Sequence, residues 1–351
     1  MKLLVCTQAV DRKDPILGFF HRWLEELAKH CDEIFVICLR EGEHALPENV
    51  HVLSLGKEEK RSRTRYLYRF YYYALRYYFK YDAVFVHMNP EYVLLGSLLW
   101  KLGGKRKVLW YTHKSVSISL RIASRLVDVI CTASPESFRL KRKNVVVTGH
   151  GIDMAAFSLP HAKPVDHMRL VTCGRISQSK GIDFLLNIVA QLPKYGVPYR
   201  FSIVGAPVTH EDHLYQERLM EKIEQLGLSS FTGFTGEKKH FEIPSILANS
   251  DVFLHASTTG SLDKAALEAM AARCVVVSSN DAVRPMLRMI HDGLAVEKPD
   301  PELFALAIQR VQQMDEEVRK VIGERSRTMV EEKHSLTTLV KQLVWILQGN
   351  K

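Results

Sequence analysis

No apolar run in this 351-residue chain is long enough to cross a bilayer. The first apolar stretch, Leu3 to Val10, is short and is followed by Asp11-Arg-Lys-Asp14, a pattern that fits a strand and not a secretory leader. Cysteine is sparse. Cys6, Cys31, Cys38, Cys131, Cys173 and Cys274 are scattered with no Cys-x-x-Cys pair, and several sit in strand-like runs. They read as buried thiols in a reducing compartment, not as a disulfide framework or a zinc site. There is no Asp-x-Asp pair and no His/Cys cluster, so no bound metal is expected. No internal repeat or low-complexity tract is apparent. Acidic residues are scarce in one half only. Residues 1–160 hold 25 Lys+Arg against 16 Asp+Glu, and residues 161–351 hold 23 against 23. The first half is therefore suited to meeting something anionic.

What is present is an alternation of short apolar strands and helical segments. The composition, 46% hydrophobic and 25% charged, is that of a soluble globular protein, and the length allows two domains. Strand-like runs begin at Leu3, Ile34, Val50, Ala83, Val108, Val129 and Val145. Phe19 to His30 has helical apolar spacing, with Pro15 near its start. Residues 157–167 carry Pro160 and Pro164 and read as a linker. A second alternation starts at Leu170. This pattern predicts parallel sheets covered on both faces.

Two stretches stand out. Residues 57–81 are rich in tyrosine and arginine, with eight of the 13 tyrosines between 66 and 81. On a projection of ~100° per residue, Arg61, Arg65, Arg69, Arg76 and Lys80 fall within roughly 100° of one another, with aromatics filling the rest. Such a helix can cover a sheet and also meet an anionic membrane surface. No nucleic-acid motif accompanies the charge, and no nucleic-acid partner is expected. The second stretch is 251–280. Val252 to Leu254 is strand-like, Thr258 to Ser261 a break, Lys264 to Ala272 helical, and Cys274 to Val277 strand-like. Ser261 is the expected N-cap. A helix start of this kind offers free N–H groups to a phosphate, with Glu268 within reach of adjoining sugar hydroxyls.

Gly174-Arg175, Lys180-Gly181, Val204-Gly205, Phe234-Thr-Gly236 and Leu267-Glu-Ala-Met-Ala271 follow in an order and spacing that resemble the retaining GT-B glycosyltransferases of family 4. Gly149-His-Gly-Ile-Asp153 resembles the segment closing that family's first lobe. The resemblance covers nearly the whole chain. It implies an α/β fold of two Rossmann-like domains facing a cleft. Their limits would be 1–158 plus 331–351, with the last helix crossing back, and 168–330, which would hold the nucleotide-sugar.

By the same resemblance, Arg175 and Lys180 clamp the donor diphosphate and steady the charge that grows as it leaves. Glu268 binds the ribose, while Gly260 to Leu262 (Ser261 and Leu262 among them) meet the phosphates. Gly236 and Glu237 lie near the base. Gly18 corresponds to the family's glycine loop, although the usual Gly-Gly is absent. His113 corresponds to a catalytic histidine at the reacting sugar, and His87 is placed similarly. Where the family usually has a second glutamate this chain has Gly260, with Asp263 and Lys264 nearby to supply an altered contact.

The expected activity is that of a retaining hexosyl-type glycosyltransferase with no cofactor and, by default, a UDP-sugar donor. The acceptor expected is a lipid-linked or cell-envelope glycan precursor, met by a protein peripheral to the inner face of the membrane. Arg65, Arg69, Arg76 and Lys80 would mark the membrane and acceptor side. The competing readings are a non-catalytic sugar-nucleotide-binding module and another GT-B enzyme, such as an epimerase or phosphorylase.

Overall fold

The computed structural model describes residues 1–14 and 16–350. Pro15, which the sequence places near a helix start, lies outside the described residues. The chain forms two units, Met1–Asp153 with His334–Lys351, and Met154–Lys333.

The first unit contains β1 (Lys2–Val10), α1 (Gly18–Ala28), β2 (Glu33–Glu41), β3 (Val50–Ser54), α2 (Arg63–Arg76), β4 (Ala83–His87), α3 (Pro90–Leu102), β5 (Arg106–Trp110), α4 (Ile118–Leu126), β6 (Val129–Thr132) and β7 (Val145–Val147). The strands form one parallel sheet in the order β3-β2-β1-β4-β5-β6-β7. The second unit contains β8 (Met168–Cys173), α5 (Ile182–Val189), β9 (Tyr199–Val204), α6 (His210–Gln225), β10 (Thr232–Gly236), α7 (Ile243–Ala248), β11 (Val252–His255), α8 (Lys264–Ala271), β12 (Val275–Ser278), α9 (Arg284–Ile290), α10 (Pro301–Gln313) and α11 (Glu316–His334). Its parallel sheet runs β10-β9-β8-β11-β12. The last helix, α12 (Leu336–Leu347), belongs to the first unit. Both sheets are Rossmann-like, and in each the strand order reverses beside the first strand, between β1 and β4 and between β8 and β11.

Side-chain alternation assigns the layers. On β1, Leu3 and Val5 face a core shared with Phe20, Trp23 and Leu27 of α1 and Leu339, Val340 and Leu343 of α12. Leu4 and Cys6 face the opposite core, with Phe70 of α2, Tyr92 and Trp100 of α3, and Leu120 and Ala123 of α4. The central strands β2, β1, β4, β5 and β6 are thus buried on both sides, which is why they read as unbroken apolar runs, while the edge strands β3 and β7 are partly exposed. The 3–4 spacing of α1 and α12 places one apolar stripe on that sheet, with Trp23 set edge-on against Trp110 at 5.0 Å. All six cysteines are buried and free.

The structure departs from the sequence reading at several elements. The stretch 57–81 is not one helix. Ser62 caps α2, which ends at Arg76, and Tyr78–Lys80 forms a separate tight turn. The projected stripe of cations is therefore broken. Arg61 precedes the helix and Lys80 follows it. Arg69 turns toward the protein, where its guanidinium donates to the Ser54 carbonyl at 3.4 Å and pairs with Glu59 at 3.3 Å. Arg65 and Arg76 stay exposed, interleaved with Tyr68, Tyr72 and Leu75. Helix α8 is capped by Asp263, whose carboxylate accepts from Ala265 N–H, and not by Ser261. Helix α6 starts at His210, where Thr209 and Asp212 form a reciprocal capping box. Helix α3 carries apolar residues on both its buried and its outward sides.

Candidate functional site

The carboxyl ends of β8, β9 and β11 meet through glycine. Gly174, after β8, has φ +140°, and Gly205, after β9, has φ +138°. A Cβ on Gly205 would lie 1.9 Å from the Gly174 carbonyl oxygen, so only glycine lets these two loops touch. Gly181 opens α5 at φ +65°, and a Cβ there would lie 2.6 Å from the Ala256 carbonyl oxygen. Thr258 N–H donates to the Ser179 carbonyl at 3.0 Å. The loops after β8 and β11 are thereby joined at the point where strand order reverses, the place where open parallel sheets bind ligands.

Two lysine–carboxylate pairs occupy this junction. Lys180 donates to Asp263 Oδ2 at 2.5 Å. The same oxygen lies 3.3 Å from His255 Nε2, and His255 Nδ1 lies 2.8 Å from Ser278 Oγ. His255 and Ser278 are register partners at the ends of β11 and β12. Burial pushes the Asp263 carboxyl upward, but Lys180 and His255 outweigh it and hold the group well below the usual carboxylate range. Glu268, buried on α8, pairs with Lys264 one turn earlier on the same helix. His240 Nε2 lies 2.9 Å from the same Glu268 oxygen and 3.0 Å from Lys264 Nζ. Here too burial acts upward and the two partners prevail, Lys264 first and then His240, lowering the carboxyl to about 2.

Arg175 leaves the β8 loop in another direction. It is half exposed and lies 3.6 Å from Asp212, the buried carboxylate of the α6 capping box. Arg175 and Lys180 therefore share a loop but hold different acids. Gly236 has φ +75°, and its carbonyl accepts from Gly205 N–H at 3.0 Å, which ties the end of β10 to the junction, while Glu237 beyond it is exposed. Leu262 is buried and Ser261 half-buried. Gly260 has φ +64°, a left-handed conformation that a glutamate would adopt only under strain.

Residues 156–329 match the family model described as glycosyl transferases group 1, and residues 17–126 match the one described as glycosyl transferase 4-like. The chain belongs to the group 1, GT4-like glycosyltransferases. It is 26% identical over 216 residues to a putative colanic acid biosynthesis glycosyltransferase, WcaL, of Escherichia coli K12, covering 59% of this chain and 52% of that protein. It is 28% identical over 217 residues to a GDP-mannose-dependent alpha-(1-6)-phosphatidylinositol dimannoside mannosyltransferase of Mycobacterium tuberculosis, covering 58% and 54%. The matched part thus spans about half the length of these curated relatives. In fold it resembles Anabaena Alr3699/HepE, solved in complex with UDP, at a TM-score of 0.79 and 18% identity, over 99% of this chain and 100% of that one.

In this GT4-like chain the residues expected on the first lobe lie in the first unit. Gly18 is the first residue of α1, buried with 3.1 Å between a would-be Cβ and the Arg12 carbonyl oxygen. His113 is exposed in the loop after β5, its Nδ1 accepting from Ser115 N–H at 3.0 Å. His87 is a core residue. It stacks on Phe20 at 4.1 Å and on Trp110 at 5.4 Å, and burial lowers it to about 3, so it stays neutral.

Sequence reasoning missed Asp212, His240 and His255. Asp212 had a signal, the Thr-x-x-Asp spacing of a capping box. His255 ends an apolar strand at its carboxyl end, which is a weaker one. His240 had none, because its link to Glu268 depends on the fold. A cavity of about 520 Å³ lies at the opposite, amino ends of β11 and β12, beside Asp251 and Arg273. Its size fits a ligand, but the chemistry converges at the other end of the sheet.

Proposed function

We propose that the chain transfers a hexose from a nucleotide-diphosphate-sugar donor to an acceptor hydroxyl with retention of anomeric configuration. The observation that carries this reading is the pair of lysines, Lys180 and Lys264, held at the carboxyl end of the second sheet by the part-buried Asp263 and the buried Glu268. Asp263 fixes the Lys180 ammonium in place before any ligand arrives. When the bond between sugar and diphosphate breaks, negative charge grows on the leaving oxygens. A cation that is already positioned stabilises that charge without reorganising. Arg175, half exposed on the same loop, supplies a second cation, and the loops' backbone N–H groups supply dipoles. Glu268 keeps its charge, as an acceptor of ribose hydroxyls must. Attack by the acceptor on the face the diphosphate leaves gives retention, and His113 is assigned a part in that chemistry.

We further read the acceptor as a lipid-linked or cell-envelope glycan precursor, used at the inner face of a membrane. The names of the relatives support this, one belonging to colanic acid biosynthesis and the other acting on a phosphatidylinositol dimannoside. UDP is the first base to test and GDP the second, since the Anabaena structure holds UDP and the mycobacterial relative is GDP-mannose dependent.

The test is donor consumption and product formation in the presence of acceptor, with the anomer read by NMR. Arg175→Ala and Lys180→Ala are each expected to lower turnover about 10²–10³-fold. Lys180→Ala also strands the Asp263 carboxylate, so the double variant Lys180→Ala/Asp263→Asn should recover melting temperature without recovering turnover. Near-normal donor consumption in both single variants would overturn the reading. Donor binding with no product from any acceptor would point to a binding module, and product without a glycosidic bond to an epimerase.

A further inference from the structure

Helices α2, α3 and α4 cover one face of the first sheet and turn an unusual surface outward. Their inner sides are used up, with Phe70, Tyr92, Trp100, Leu120 and Ala123 all in the core beneath. They are also neighbours. Tyr71 OH donates to the Leu95 carbonyl at 3.0 Å, Tyr78 OH donates to the Leu99 carbonyl at 3.2 Å, and Ser119 Oγ donates to Glu91 at 2.8 Å. The outward sides carry Tyr68, Leu75, Leu98 and Ile122, with Leu102 79% and Ile118 78% exposed, and Phe79, on the tight turn that follows α2, is 93% exposed. Single exposed leucines are ordinary. Large apolar side chains projecting from three adjacent helices are not, and such patches mark interaction surfaces.

The charge around the patch selects its partner. Residues 61–126 contain 13 Lys+Arg and only two acids, Asp82 and Glu91. Asp82 accepts from Lys2 N–H at the foot of β1, and Glu91 accepts from Ser119. Neither α2 nor α4 carries an acid, while Arg65, Arg76, Lys101, Arg121 and Arg125 are exposed among the apolar side chains. A second copy would bring these cations against each other, which like charge disfavours. A bilayer with anionic headgroups suits both components. Tyrosines and long cationic side chains sit at the headgroup level, and the leucines, isoleucines and Phe79 enter the acyl boundary. No helix among the described residues is long and apolar enough to cross a membrane, so contact would be in the plane of the surface.

We propose that the outward face of α2, the turn that follows it, α3 and α4 docks on an anionic lipid surface, with Phe79, Leu102 and Ile118 inserting. This rests on the reading of the chain as working at a membrane and not on its donor chemistry. The full chain is floated with phosphatidylcholine vesicles, with and without phosphatidylglycerol. Wild type should float with the anionic vesicles only. Arg76→Glu/Arg121→Glu should weaken binding at least about tenfold, and Phe79→Ser/Leu102→Ser should do the same, with unchanged melting temperatures because all four side chains are exposed. Met289→Ser, an exposed change in the second unit, should bind as wild type.

If wild type binds neither vesicle, the membrane reading fails with the proposal. If wild type binds and both double variants bind equally well, the face is wrong and the membrane reading stands. If light scattering shows a dimer that Phe79→Ser/Leu102→Ser makes monomeric, the face is a self-association surface and the proposal falls.

Discussion

Glu268 illustrates how much of a site residue's behaviour is set by its neighbours. A buried carboxylate alone would move upward and give up its charge. Lys264 and His240 reverse that and bring it to about 2, against about 4.5 in the unfolded chain. The folded value is the lower one. The ionised group therefore contributes stability that is fully present above the unfolded value and is lost as pH falls through the folded one. Glu268→Gln should be less stable than wild type at neutral pH. The gap, measured by chemical denaturation at fixed pH, should hold above the glutamate's unfolded value and close between about 4.5 and about 2. A gap that widens toward acid would mean the charged form is not what the site favours. Glu268, Arg175 and Lys180 were legible in the sequence because each sits at fixed spacing within one loop or helix. Their partners were less so. Lys180 and Asp263 are 83 residues apart and meet only because the loops after β8 and β11 lie side by side. The Lys264–Glu268 pair, by contrast, is a one-turn neighbour whose contact helical spacing alone permits.

At the scale of elements, the central strands were the most readable because burial on both faces makes them apolar throughout. Helix ends were less readable. Ser261 and Asp263 are both good capping residues, and the choice between them is made by Lys180 and His255, which hold Asp263 where its free oxygen can reach Ala265 N–H. The projection over 57–81 failed for a related reason, since it assumed one helix through Tyr77, where the helix ends. The loop ahead of α8 yields a prediction. Gly260 stands where the resemblance leads one to expect a glutamate, yet its φ of +64° belongs to glycine. Restoring the residue by Gly260→Glu should cost about 1–2 kcal/mol of stability. The same change should leave turnover no higher than wild type, because this loop does not have the backbone that would aim a glutamate. Thermal unfolding and a transfer assay on the one variant decide it. A gain in turnover with unchanged stability would show that the loop takes up a family-like conformation and that Gly260 is a simple loss of function.

Across the whole molecule, charge is divided between the units. The first, with its C-terminal helix, carries 27 Lys+Arg against 16 Asp+Glu, and the second carries 21 against 23. The proposed donor is anionic, yet the unit assigned to it has no cationic excess. Its hold on a diphosphate must come from local groups, Lys180 and Arg175 and the N–H groups around them, several of them part-buried. The first unit's excess is spread over exposed helices, where it can act only through solvent. Salt distinguishes the two. The Debye length shrinks from ~30 Å at 0.01 M to ~8 Å at 0.15 M, so exposed cations facing a charged surface lose much of their attraction, whereas part-buried contacts are screened less. Raising salt over this range should therefore weaken binding to phosphatidylglycerol vesicles at least about tenfold. The thermal stabilisation given by a nucleoside diphosphate should change far less under the same conditions. Equal sensitivity of the two would mean that the donor, too, is held by long-range charge, and that the part-buried Lys180 is not its main anchor.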